Sequence, residues 1–314
     1  MNKAFVLGAG LGTRLRPLTD QLPKPMIPVF HRPLITYAFD HLMHAGVRSF
    51  VVNTHHLPEA YASAFPDATY RSAPITFRHE PVLLETAGGI ANIMDLVSDE
   101  SFIVYNGDIL TDLPLQPLID EHARGENIVT LVLRSSGPGL HISRSEDGRV
   151  TDVRNKLGRG CNGTHQFTGI YAIRPDFLRH LTPGKIESVI PIFLNLIAEG
   201  ARIGSVVVDE GCWWDLGDRA SYLEAHQRMH ELRGVFPAYS PVTPQEIEPG
   251  ADVARNAHLA GINAISSGAS VAEDASLTNC IVWPSAKIEA GAQLTNCIVR
   301  SHQTATGSHQ DAVF

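Results

Sequence analysis

The sequence predicts an α/β domain with a mostly parallel sheet, followed by a short β-helix built from hexapeptide repeats. Three observations carry this reading. Strand and helix signals alternate from the N-terminus through Asp108; a proline-rich connector (Pro237, Pro241, Pro244, Pro249) interrupts the chain; and beyond it aliphatic residues recur at every sixth position.

Ala4 to Leu7 is a short apolar strand that runs into glycines, and Pro33 to Ala45 carries Ile35, Phe39, Leu42 and Met43 at helical spacing before Gly46. Ser49 to Asn53 is the next strand, Ile75 to Glu80 alternates as a third, Gly89 to Val97 is helical, and Phe102 to Tyr105 is a fourth strand. Repeated βα units of this length imply a parallel sheet covered by helices. Asn127 to Leu133, Gln166 to Ile173 and Ile203 to Val208 read as further strands, with helices near Glu187 to Ala198 and Arg219 to Leu232, so the first domain is expected over residues 1–235. From 236 to 314 the period changes. Ile247, Val253, Leu259, Ile265, Val271 and Leu277 are six residues apart, and after a one-residue slip Val282, Ile288 and Leu294 continue the series. Leu277-Thr-Asn-Cys-Ile-Val282 also recurs as Leu294-Thr-Asn-Cys-Ile-Val299. One inward aliphatic side chain per short strand is the pattern of a hexapeptide β-helix.

Composition narrows the function classes. With 314 residues, 44% hydrophobic and 18% charged, the chain is long enough for two domains and is neither disordered nor fibrous. A net charge of −8 without a long basic run argues against nucleic-acid binding, although it leaves room for a local phosphate site. Cys161, Cys212, Cys280 and Cys297 lack zinc-site spacing and are expected to be reduced thiols. No apolar run spans a bilayer and Met1 to Leu7 lacks a signal-peptide core, so the expectation is a cytoplasmic protein with no membrane partner.

In parallel sheets ligands bind beyond the carboxyl ends of the strands. Here those ends are Gly8 to Arg14, Asn53 to His56, Glu80 to Thr86 and Asn106-Gly107-Asp108. The first is followed by Pro23-Lys-Pro-Met26 and combines Gly8, Gly10 and Gly12, which allow close backbone approach to an anion, with Arg14, Arg16 and Lys24. Thr13 stands where a P-loop or a dinucleotide fingerprint needs its next glycine, so the segment is neither. Several cations near a glycine turn suit a triphosphate whose leaving group gains negative charge.

The string GAGLGTRLRPLT…PKPMIPV resembles the signature of the sugar-1-phosphate nucleotidylyltransferases, or nucleotide-diphosphate-sugar pyrophosphorylases. Val51-Val-Asn-Thr54, Leu84-Glu-Thr-Ala-Gly-Gly-Ile90, Tyr105-Asn-Gly-Asp108, Phe167-Thr-Gly-Ile-Tyr171 and Trp213-Trp-Asp-Leu-Gly217 match in order over roughly residues 3–230. The resemblance implies a Rossmann-like, mostly parallel sheet nucleotidyltransferase domain followed by a left-handed β-helix. It implies transfer of a nucleoside monophosphate from a nucleoside triphosphate (GTP or UTP ahead of dTTP or CTP) to a hexose 1-phosphate, with Mg2+ as cofactor. Arg14 is expected to hold the leaving pyrophosphate and Lys24 the α-phosphate or the sugar phosphate, while Gly8, Ala9, Gly10, Gly12 and Thr13 line the triphosphate. Asp108 and Asp215 match the family's metal-binding aspartates, with Asp108 also counted as catalytic.

The resemblance puts base recognition on Glu80, Thr86 and Gly88. A carboxylate is acceptor-only, which at Glu80 favours guanine, whereas the Leu-Glu-Thr-Ala-Gly-Gly wording is similar to uridylyltransferases acting on muramic-type sugars. The sugar side falls on Lys156, Asn155 and Gly169, with Asn155-Lys-Leu157 standing where relatives show Glu-Lys-Pro. His55, His56, His258, His302 and His309 are expected at the surface, and Trp213 and Trp214 as one core ring and one site wall. Two competing readings are a catalytically silent sugar-nucleotide-binding subunit that assembles through the β-helix, and an enzyme with added acyltransferase activity. A homo-oligomer is expected because a repeat with an open end offers an assembly surface.

Overall fold

The computed structural model describes residues 1–97, 100–160, 162–241 and 243–314; Cys161 lies outside the described residues. The chain forms two compact units, Met1–Leu11 with Tyr37–Trp213, and Gly12–Thr36 with Trp214–Phe314. This division differs from the boundary at 235 suggested by the change of period. The segment carrying Arg14 and Lys24, and the helix after Asp215, group with the β-helix.

The first unit is built on an eight-stranded sheet. Its strands are β1 (Lys3–Leu7), β2 (Ser49–Thr54), β3 (Thr69–Tyr70), β4 (Ala73–His79), β5 (Phe102–Asn106), β6 (Val129–Arg134), β7 (Gln166–Ile173) and β8 (Ile203–Val207). Their spatial order is β8-β6-β7-β5-β1-β2-β4-β3. β1 pairs in parallel with β2 and β5, and β2 with β4; β7 runs antiparallel between β5 and β6. The central strands are buried on both faces, and Phe5, Val52, Val104 and Ile170 have no exposed surface, as continuous apolar runs require. Helices α1 (Leu34–His44), α2 (Glu59–Ala64), α3 (Glu85–Asn92), α4 (Gln116–Ala123), α5 (Val189–Ala198) and α6 (Arg219–Glu231) follow in chain order.

The expected helix Gly89 to Val97 instead begins at Glu85 and breaks at Ile93, with Met94–Val97 forming a separate turn. Tertiary contacts override the glycines' poor helix propensity: the N–H groups of Ala87 and Gly88 both donate to the Glu187 carbonyl.

In the second unit three parallel sheets stack coil on coil, the arrangement of a left-handed β-helix. Val253, Val271, Ile288 and Ala305 form one register line, and Leu277 pairs with Leu294. Ile265, Val271, Leu277, Val282, Ile288 and Leu294 are buried as the six-residue spacing requires, whereas Ile247 and Leu259, in the first coil, stay partly exposed at 40% and 37%. Within the Leu-Thr-Asn-Cys-Ile-Val repeat, Asn279 and Asn296 take φ of 54° and 51°, the left-handed turn that Asn tolerates. Asn279 Nδ2 donates to Asn296 Oδ1 at 3.5 Å, and Asn296 Nδ2 to Asp311 Oδ1 at 3.1 Å. Cys280 and Cys297 are buried free thiols, and burial raises the Cys280 pKa to about 11, so it packs as a small apolar group. No helix among the described residues is long and apolar enough to cross a membrane.

Candidate active site

In the first unit the parallel strands deliver Gly8, Asn53, Glu80 and Asp108 to one edge of the sheet. Gly8 is needed there: a Cβ would lie 2.6 Å from the Asn53 carbonyl and 2.9 Å from the Tyr61 hydroxyl. Its N–H donates to Asn53 Oδ1 at 2.8 Å, and its carbonyl accepts from the Tyr61 hydroxyl at 2.9 Å. Asn53 Nδ2 in turn donates to Glu80 Oε1 at 2.8 Å, and Glu80 Oε2 accepts the Leu84 N–H at 3.0 Å. A buried chain of hydrogen bonds thus runs from the first glycine to the start of α3. Ala9 is also buried, while Gly10 is exposed with open space around it.

Glu80, expected at the base edge, lies inside this chain of hydrogen bonds. The side chain has no exposed surface and both oxygens serve the protein itself. Thr86 and Gly88 also make close internal contacts. Thr86 Oγ1 accepts the Val189 N–H at 2.8 Å, and a Cβ on Gly88 would meet the Lys185 carbonyl at 2.3 Å. Beside them Glu85 is exposed at φ 59°, a backbone conformation unusual for a non-glycine residue.

Asp108 follows β5. Gly107 brings it next to the end of β1, its N–H donating to Leu7 O at 3.0 Å where a Cβ would clash at 2.5 Å. Burial, and secondarily the negative charge of Asp108, push the Tyr61 pKa up, so the hydroxyl stays a donor to Gly8. Gly169, at φ 83°, packs against the Asn106 side chain, where a Cβ would come within 2.6 Å. Asn155 is a turn residue at φ 52° whose Oδ1 accepts the Gly160 N–H at 3.1 Å; Lys156 beside it is exposed. The fully buried Asp152 accepts the Leu157 N–H at 3.1 Å and so fixes this loop. Trp213 donates to Thr168 O at 2.9 Å, and His55 Nδ1 to the Glu80 carbonyl at 2.7 Å. His258, His302 and His309 are exposed.

The second unit carries the charged cluster. Gly12 turns at φ 59° against Thr19 and opens the short 3-10 turn Thr13–Leu15, leaving Thr13 and Arg14 exposed. Lys24 is nearly buried, 8% exposed at the side chain, and its Nζ donates to Asp215 Oδ1 at 3.1 Å. Arg14 Nη2 lies 3.9 Å from Asp215 Oδ2, the Arg14 side chain 71% exposed. A Cβ on Gly217 would lie 2.9 Å from that guanidinium. Asp218 caps α6: the Ser221 N–H above all, with a contribution from Arg14, holds its carboxyl below the usual range. Two cations therefore share one half-exposed carboxylate beside a glycine turn, an arrangement that can exchange protein contacts for phosphate oxygens.

Among the described residues no three His, Cys, Asp or Glu side chains stand together as a metal cluster. Asp108 belongs to the first unit and Asp215 to the second. Both offer hard oxygen donors, the chemistry Mg2+ takes when phosphate oxygens complete its shell.

Asn53 and Asn106 enter the sequence reading only within strand-end segments and motif strings, with no role assigned, and Tyr61 does not enter it. A polar residue closing an apolar strand was the available signal for Asn53 and Asn106; Tyr61 gave none, because its partner is a backbone carbonyl 53 positions away.

The family model for nucleotidyl transferases matches residues 3–231. The chain is 29% identical over 298 residues to mannose-1-phosphate guanylyltransferase of Mycobacterium tuberculosis, covering 92% of this chain and 81% of that protein. It is 30% identical over 226 residues to N-acetylmuramate alpha-1-phosphate uridylyltransferase of Neisseria meningitidis, covering 71% and 96%. Among solved structures, UDP-glucose pyrophosphorylase complexed with UDP-glucose superposes with a TM-score of 0.62 at 19% identity over 74% of this chain and all of that one, a likeness of fold.

Proposed function

This chain belongs to the nucleotidyl transferase family, and from that premise we propose that it is a Mg2+-dependent sugar-1-phosphate nucleotidyltransferase. The observation that carries the proposal is the Arg14–Asp215–Lys24 cluster beside the glycine turn. A phosphate oxygen of a hexose 1-phosphate attacks the α-phosphorus of a nucleoside triphosphate; the bond to the bridging oxygen breaks, and pyrophosphate leaves with the electron pair. The sugar phosphate is itself the nucleophile, so the protein's task is positioning and charge neutralisation.

Arg14 presents a forked donor to the departing pyrophosphate, and Lys24, held on Asp215, faces the α-phosphate or the sugar phosphate. Backbone N–H groups of Gly10 to Thr13 supply neutral donors, and Lys156 meets the sugar phosphate. Asp108 in the first unit and Asp215 in the second are each a proposed ligand for Mg2+, which when bound offsets charge on the phosphate oxygens. No side chain need form a covalent intermediate.

GTP is the proposed first choice of triphosphate, because the similarity to the M. tuberculosis guanylyltransferase extends through 92% of this chain and so into the repeats. UTP is the second reading, favoured by the N. meningitidis uridylyltransferase. The test is a matrix of GTP, UTP, dTTP and CTP against mannose, glucose and N-acetylmuramate 1-phosphates, scored by pyrophosphate release with Mg2+. Turnover is expected with at least one pair and should fall at least 10²-fold in Asp108→Asn, the order expected when a transition-state charge partner is lost. Undiminished turnover in that variant overturns the metal role of Asp108, and no turnover with any pair overturns the function.

A further inference from the structure

The β-helix carries no group with an assigned role, yet one of its residues closes a ring of interactions around Lys24. Trp283 has no exposed surface, and its Nε1–H donates to the Tyr222 hydroxyl oxygen at 3.2 Å. The Tyr222 hydroxyl donates to the Pro28 carbonyl at 2.5 Å. An indole N–H can only donate, so it can enter Tyr222 only at the oxygen and leaves the single phenolic proton for Pro28. The chain has one direction, and each bond polarises the next.

From Pro28 back to Lys24 the backbone is stiff. Pro23, Pro25 and Pro28 each have restricted φ, and the Met26 and Ile27 N–H groups donate to Pro23 O and Lys24 O at 2.8 and 3.2 Å. At the far end Lys24 holds Asp215, which lies just ahead of α6, the helix that carries Tyr222. One turn along α6, His226 adds a second grip: Nδ1–H donates to Tyr222 O at 2.9 Å and Nε2 accepts the Phe30 N–H at 2.9 Å. That pattern needs a neutral ring, and burial lowers the His226 pKa to about 4. Arg300, also on the β-helix, donates to Pro17 O at 3.3 Å.

We propose that Trp283, acting through Tyr222, is a positioning residue of the transfer reaction: it directs the Tyr222 proton onto Pro28 and so sets the Pro23–Pro28 strut that presents Lys24. The β-helix is in this respect part of the catalytic apparatus. The inference rests on the nucleotidyl-transfer reading and goes beyond it in giving the repeat domain a task within the reaction.

The test uses the full chain and the best substrate pair from the matrix. Tyr222→Phe keeps the ring and removes the relay; Trp283→Phe removes the donor; Leu294→Ala serves as a control that destabilises the β-helix core away from the relay. Tyr222→Phe and Trp283→Phe are each expected to lower kcat about tenfold, as for a displaced catalytic group, with the KM for the triphosphate changed less than twofold. The double variant should be no slower than the worse single variant, because the relay is already broken. Leu294→Ala should lower Tm yet keep the wild-type kcat. If Trp283→Phe does not fold, Tyr222→Phe decides alone. Wild-type kcat in the relay variants, with Tm lowered as in Leu294→Ala, would reduce the relay to a packing feature and overturn the inference. A wild-type protein that releases no pyrophosphate with any pair would instead overturn the underlying function.

Discussion

In the proposed reaction the glycine turn of the first unit and the cationic segment of the second meet the same demand, a polyanionic substrate, with opposite materials. Around Gly8 the polar groups are buried and spent on one another: Asn53, Tyr61 and Glu80 fix the backbone and keep little surface for a ligand. Around Lys24 the partners are exposed, Asp215 at 43% and Arg14 at 71%, while the lysine itself is 8% exposed. The difference teaches where each region is vulnerable. Buried, mutually satisfied groups are costly to disturb and should register as stability, whereas exposed charges cost little to remove and should register as rate.

The largest expected effect tests the second half of that contrast. Lys24→Met keeps an unbranched side chain of similar length and removes the ammonium that pairs with Asp215. Turnover should fall by roughly 10²- to 10³-fold, the loss typical of one preorganised donor to a developing charge. Tm should fall far less than turnover, since methionine fills the nearly buried space of the lysine stem while Asp215 keeps its exposure to water and its approach to Arg14. Steady-state kinetics alongside thermal melting checks both parts; a large loss of Tm would mean that Lys24 is a structural ion pair and the contrast is false.

The next effect belongs to the first unit. Asn53→Leu leaves the Gly8 N–H and one oxygen of the fully buried Glu80 without their partner. Each unsatisfied group costs about 1–3 kcal/mol, so about 3 kcal/mol is expected in total, a Tm loss of roughly 6–12 °C for a unit of this size. Turnover below the melting range should fall less than in Lys24→Met. Calorimetry compared with initial rates at 20 °C decides it, and an unchanged Tm would show that the buried chain contributes nothing.

What was legible in the sequence follows the same division between backbone pattern and side-chain partnership. The sheet strands and the repeat could be read because each rests on a short pattern: Gln166 to Ile173 is a β-compatible run broken only at Gly169, where the pairing shifts register, and the aliphatics from Ile265 to Leu294 each fill one position per strand. Arg14, Lys24 and Asp215 could be gathered by motif before any geometry, and they do meet. The internal hydrogen bonds of Glu80 could not be read, because an acid at a strand end looks the same whether it faces solvent or the N–H donors of Asn53 and Leu84. Nor could the grouping of Gly12–Thr36 with the repeats, where Arg300 reaches the Pro17 carbonyl and Trp283 reaches Pro28 through Tyr222, since carbonyls leave no mark in sequence.

The smallest expected effect separates two explanations of the contrast. Either the units differ in kind, or burial alone decides how a residue answers to mutation. Lys156 discriminates, because it is an exposed cation within the first unit, on a loop whose anchor is the buried Asp152 and not the lysine itself. If burial decides, Lys156→Ala leaves Tm unchanged and raises the KM for the sugar phosphate about fivefold, near 1 kcal/mol, with kcat nearly constant. If the unit decides, the variant loses stability as Asn53→Leu does. Melting curves and a sugar-phosphate titration on the same preparation distinguish the two, and the loop geometry favours burial: Asp152 holds the Leu157 and Arg159 N–H groups whether or not an ammonium stands at position 156.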